Sequence, residues 1–153
     1  MADIDIQIAH SNIHAPHVDL LSAWATAVVD QFADNSTMTI RVTDEDEIRQ
    51  LNRDYRHIDK TTNVLSFPVE LPEEIEERLL GDVVICATIV ESEALKQNKK
   101  LEAHWAHMVI HGTLHLLGYD HIEDVEAEKM EALEINILNQ FGYADPYVDR
   151  SVA

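Results

Sequence analysis

Isoleucines at positions 4, 6 and 8 alternate with Asp3, Asp5 and Gln7, which is the period of a half-buried strand. Leu20, Leu21, Trp24, Ala27, Val28 and Phe32 then recur at helical spacing, with Pro16 placed near the first turn. Asp34, Asn35 and Ser36 mark a turn, after which Met38, Ile40 and Val42 alternate as a second strand. Thr43 reads as a helix N-cap with Asp46 three residues on. The acids after it suit a helix N-terminus, and Ile48, Leu51, Asn52 and Tyr55 share one side of a helix running to about Tyr55.

Residues 64–67 read as a strand stopped by Pro68, which cannot donate to a ladder and so marks an edge or an end. Residues 70–80 are acidic and carry Pro72, so a loop is expected there. Residues 81–87 are nearly all apolar, as expected of a strand covered on both faces. A helix is predicted over 88–97, anchored by Ile89, Val90 and Leu95, and a longer one over 101–117 with a core stripe of Trp105, Val109 and Leu116. The last helix, over 123–139, packs through Val125, Met130, Leu133, Ile137 and Leu138 with its acids outside, and Gly142 ends it. The pattern predicts one α+β domain over residues 1–153. It holds a small mixed four-stranded sheet packed with helices, and a short mobile tail from about residue 145.

An apolar fraction of 46% supports a globular chain of this length. The single cysteine, Cys86, excludes an intrachain disulfide and reads as a small buried hydrophobe, so a metal site must use nitrogen and oxygen. The first residues lack the basic start and apolar run of a secretory signal, and no stretch approaches a membrane span; a cytoplasmic location is expected. The net charge of −18 runs against the basic footprint of most nucleic-acid binders. The charge is uneven, however. Residues 70–77 hold five glutamates and no base, while cations gather at Arg49, Arg53, Arg56 and Lys60 and again at Lys96, Lys99 and Lys100. Both a basic lip that meets phosphate and an acidic body that meets a basic protein remain open on this distribution.

The chemistry gathers at residues 111–121. His111 and His115 stand four apart, so on a helix they stack on one face and can share one metal at about 2.0–2.1 Å. Gly118 lets the chain leave the helix in a left-handed turn, bringing His121 back as a third ligand. Three nitrogens leave a fourth tetrahedral position for water, which is the catalytic type of zinc site. The spacing is that of the long zincin signature H-E-x-x-H-x-x-G-x-x-H, with Gly112 where the peptidases carry their water-activating glutamate. A glycine takes no proton, which counts against proteolysis. His104 and His107 lie on the same helical stripe and read as groups behind the ligands or on the cleft floor. Tyr119 and Asp120 are placed to orient a ligand or water, and Asn63 and Ser66 to touch substrate, with turn-stabilising roles as the competing readings.

Several blocks, in order along nearly the whole chain, resemble the bacterial YbeY family. They are NRDYRHIDKTTNVLSFP at 52–68, GDVVIC at 81–86, and EAHWAH at 102–107 running into the histidine motif. The resemblance implies a zinc-dependent, single-strand-specific endoribonuclease of rRNA maturation, at the 16S 3′ end, and of ribosome quality control. It implies one zinc per chain on His111, His115 and His121, Arg56 as the active-site arginine, and ribosomal RNA as partner, with ribosomal proteins as further candidates. Guanidinium suits a phosphate and the charge that grows on it in the transition state. Arg49 and Arg53 read instead as a solvated, ion-paired face. The competing functions are a zincin-like metallopeptidase and a non-enzymatic ribosome-assembly factor with structural zinc.

Overall fold

The structure is a computed structural model, and it describes residues 2–32, 35–69, 79–120 and 123–147. The strands are β1 (Asp3–Ile8), β2 (Thr37–Thr43), β3 (Val64–Pro68) and β4 (Leu79–Cys86). The helices are α1 (Val18–Phe32), α2 (Glu45–Arg56), α3 (Ala87–Lys96), α4 (Leu101–Leu116) and α5 (Asp124–Gln140). One mixed sheet runs in the order β1-β2-β4-β3. β1 and β4 lie parallel to β2, and β3 runs antiparallel along β4 as an edge, the place its proline predicted.

β4 explains its own composition. Successive side chains point to opposite faces. Val83 and Ile85 join the main core, under α1 and α4, while Val84 and Cys86 join a second cluster with Ile48 of α2 and Leu65 of β3. Both faces are covered, so an apolar run replaces alternation. α4 packs against α1, α3, α5, β3 and β4 at once. Trp105, Ile110 and Leu114 are therefore fully or almost fully buried, each contributing about 1.5–3 kcal/mol. The same enclosure buries His104 and His107, which are polar and need partners.

Several details depart from the sequence reading. Asp44, not Thr43, caps α2, accepting from the Glu47 N–H at 2.9 Å, because the helix starts one residue later. Leu95 is 79% exposed and Val125 63% exposed, so neither anchors its helix; Val90 anchors α3 as expected, joined by Ala94. The strand expected from residue 81 begins at Leu79. The acids of α5 are not all outside, since Glu134 is 1% exposed. Most of the acidic loop expected at 70–80 lies outside the described residues, as does part of the turn before β2. The stretch expected to be a tail is described as far as Tyr147, whose phenol reaches Glu134. No helix among the described residues is long and apolar enough to cross a membrane.

Candidate metal centre

The last two turns of α4 bring His111 and His115 together as their spacing requires. Their Nε2 atoms are 3.1 Å apart and their rings meet edge to face. Two nitrogens at about 2.0–2.1 Å from a tetrahedral zinc stand about 3.3 Å from each other, so the pair fits a shared metal. Gly118 has φ +97, the left-handed turn expected after the second histidine. His121, the expected third ligand, lies outside the described residues.

Behind the pair stands a residue the sequence reading left on the outer face of α5. Glu134 Oε1 is 3.1 Å from His111 Nδ1, and its Oε2 accepts from His107 Nε2 and, at 2.8 Å, from the Tyr147 hydroxyl. Burial pushes the Glu134 carboxyl upward, but the hydrogen bonds and charge of His107 and His111 outweigh it and hold the group down to about 2. Burial, then the Glu134 charge, pushes the Tyr147 phenol well above its ordinary range, so it stays a donor. His107, His111 and Glu134 offer ligand atoms within 4.8 Å of one another, which makes them a second grouping able to hold a metal. The two groupings share His111. In the second, both carboxylate oxygens are already engaged by imidazoles.

Gly112 is packed rather than merely lacking an acid. A Cβ there would meet Val83 Cγ1 at 2.6 Å and Val64 Cγ2 at 3.1 Å. The sheet occupies the place where the peptidase glutamate would begin. Ser66 uses the same close approach: its Oγ donates to the Gly112 carbonyl at 2.8 Å, beside His111. Its own carbonyl accepts from Arg56 Nη2 at 2.8 Å, and the guanidinium lies 6.0 Å from the Phe67 ring centroid. Arg56 stands in the last turn of α2, which His57 closes at φ 59. Thus β3 ties the exposed arginine to the backbone next to the first histidine.

The other polar candidates make these contacts. The Asn63 amide donates to Glu93 at 3.1 Å, and its carbonyl oxygen accepts from the Val64 N–H at 2.7 Å. Glu93 also holds His104 Nε2 at 3.0 Å. Arg49 pairs with Asp59 at 2.8 Å, and Arg53 lies 3.4 Å from its neighbour Asp54; both side chains are exposed, as expected of a solvated face. Tyr119 packs its ring on Phe32, and Asp120 is half-buried in the turn that leads to His121. A cavity of about 720 Å³ opens beyond His107 and Tyr147, rimmed by Lys96, Lys99 and Lys100; neither His111 nor His115 lines it.

Among solved structures the chain is similar to the protein TM1509 from Thermotoga maritima. Its solution structure matches at a TM-score of 0.58 and 27% identity, covering 97% of this chain and 99% of that one. The sequence profile described as endoribonuclease YbeY matches residues 4–142. The YbeY family is metal-dependent, and membership supports a role in rRNA maturation. With nearly its whole length matched, the chain belongs to the YbeY family of endoribonucleases and is a hydrolase acting on RNA.

Proposed function

We propose that this endoribonuclease uses zinc held by His111, His115 and His121, that Arg56 engages the scissile phosphate, and that its substrate is single-stranded rRNA at the 16S 3′ end. Ribosome quality control, a cytoplasmic site of action and contacts to ribosomal proteins belong to the same reading. The observation that carries it is the 3.1 Å approach of the two Nε2 atoms, with His111 Nδ1 turned away onto a buried carboxylate. That arrangement turns the Nε2 atoms of both rings toward one point, where a single ion can be shared. Bound there, a divalent metal supplies Lewis acidity for a phosphoryl oxygen and for water.

The chain's own residues supply the rest. Arg56 uses one N–H on Ser66, which fixes the guanidinium plane at the edge strand while the side chain stays exposed to a phosphate. The Phe67 ring centroid lies 6.0 Å from the guanidinium carbon, at the reach of a cation–π contact. Glu134 is too buried to reach RNA, and Gly112 has no side chain, so neither takes the proton of the attacking group. Attack by water with loss of the 3′-oxygen gives 5′-phosphate and 3′-hydroxyl ends directly, whereas attack by the 2′-hydroxyl with loss of the 5′-oxygen gives a 2′,3′-cyclic phosphate first. Cleavage of a single-stranded RNA by zinc-loaded protein tests the assignment. Loss of activity in His115→Ala, with a fall of about 10²–10³-fold in Arg56→Glu, is expected. Cleavage unchanged in both variants would sink it.

A further inference from the structure

We infer that Glu134 is a positioning residue for the metal site, fixing the tautomer and ring angle of His111, and that Tyr147 in turn positions Glu134. The inference rests on the metal assignment proposed above and extends it to two residues on other elements.

A neutral imidazole carries one proton, on Nδ1 or on Nε2. Free histidine in water populates both forms, and only the Nδ1–H form presents a lone pair at Nε2. Glu134 decides between them at His111. Its Oε1 stands 3.1 Å from Nδ1, and a carboxylate oxygen facing a ring nitrogen at that distance is the acceptor for its N–H. The proton is therefore held on Nδ1, and the Nε2 lone pair is directed at the side where His115 Nε2 lies 3.1 Å away. The carboxylate also makes the imidazole more basic, which strengthens its bond to a cation.

Glu134 is itself held from three sides. It sits on the buried face of α5 with Met130, Ile137 and Leu138, so the helix fixes its Cα against α4. His107, one turn before His111, donates Nε2–H to its Oε2. The Tyr147 hydroxyl donates to the same oxygen at 2.8 Å, and the Tyr147 ring meets the His107 ring edge to face with centroids 5.4 Å apart. The Asp145 carboxylate accepts from the Tyr147 N–H at 2.8 Å, which closes a turn and sets the tyrosine at this spot. Residues beyond the end of α5 thus stand behind a site whose first two histidines sit on α4. A carboxylate with only structural duty would be better replaced by an apolar side chain at a buried position, since the desolvation of an ion pair is seldom recovered in full.

Two readouts on the full chain test this. Zinc affinity is measured by competition with a chromophoric chelator, and the His111 tautomer is read in metal-free protein from long-range ¹H–¹⁵N correlations of the imidazole. Glu134→Gln should weaken zinc binding about 10–100-fold. It should also convert His111 from the Nδ1–H form to a mixture. Tyr147→Phe should weaken zinc binding about 2–10-fold, the value of one hydrogen bond. Tyr147 is 45% exposed, so that variant carries the test if the buried Glu134 variant fails to fold. Unchanged affinity with an unchanged tautomer in either folded variant overturns the inference. A different pattern marks failure of the metal assignment beneath it. If His115→Ala binds zinc normally while His107→Ala and Glu134→Gln abolish binding, Glu134 is a ligand and not a positioning residue. The tautomer measurement needs no metal, so the two failures separate.

Discussion

Glycine at position 112 carries two meanings, and only one was legible in the chain. Its lack of a carboxylate argues against a peptidase from sequence alone. That the helix needs glycine there for contact with Val83 and Val64 emerges only from the packing. Gly112→Ala should therefore destabilise the fold by about 1–3 kcal/mol, the cost of overpacking, in urea unfolding. Gly112→Glu should cost more and should give no cleavage of casein, because the sheet leaves the carboxylate no path to the metal side. Wild-type stability in Gly112→Ala would show that β3 and β4 yield, and that the close approach is not a constraint. Glu134 was missed for a different reason. Six acids between residues 122 and 134 read as one solvated face. Yet Met130, Glu134, Ile137 and Leu138 fall at i, i+4, i+7 and i+8, a single helical stripe. An acid inside an apolar stripe was the available signal.

At the scale of elements, periodicity identified nearly every strand and helix, since each has one clear face. It located α4 but not its surroundings. A helix packed on five neighbours carries buried histidines, and no one-dimensional pattern shows where Glu93 and Glu134 will stand. Boundaries slipped by a residue or two where caps compete, as at Thr43 and Asp44. Enclosure of α4 has a consequence for acid stability. Burial lowers the His104 pKa below its ordinary 6.5; Glu93 opposes this, while His107 and Lys99 add to it. The unfolded chain then takes up the proton first as pH falls. The contribution of His104 is fully present above about 6.5 and is lost as pH falls through its lower folded value. Thermal midpoints at pH 7.5 and pH 5.5 should fall less in His104→Asn than in the wild type. A wild-type midpoint that rises on acidification through this residue would mean that the Glu93 pairing outweighs burial.

For the whole molecule, the central question is how a chain of net charge −18 handles RNA. The protein repels a polyanion at long range, within the limit that screening sets at about 8–10 Å in physiological salt. Affinity then has to come from short-range groups at the site. On the reading proposed above, Arg56, held by Ser66, and a cation between His111 and His115 would be such groups, and a bound divalent ion would offset part of the local negative field. The metal is then a condition of RNA hydrolysis and not an ornament of the fold. The direct measurement is single-turnover cleavage of a single-stranded RNA by protein stripped of metal and titrated with zinc. Activity is predicted to be absent in the stripped protein, to rise in proportion to zinc and to level at one equivalent per chain, with His115→Ala flat throughout. Full cleavage by verified metal-free wild type, with no gain on titration, would contradict it.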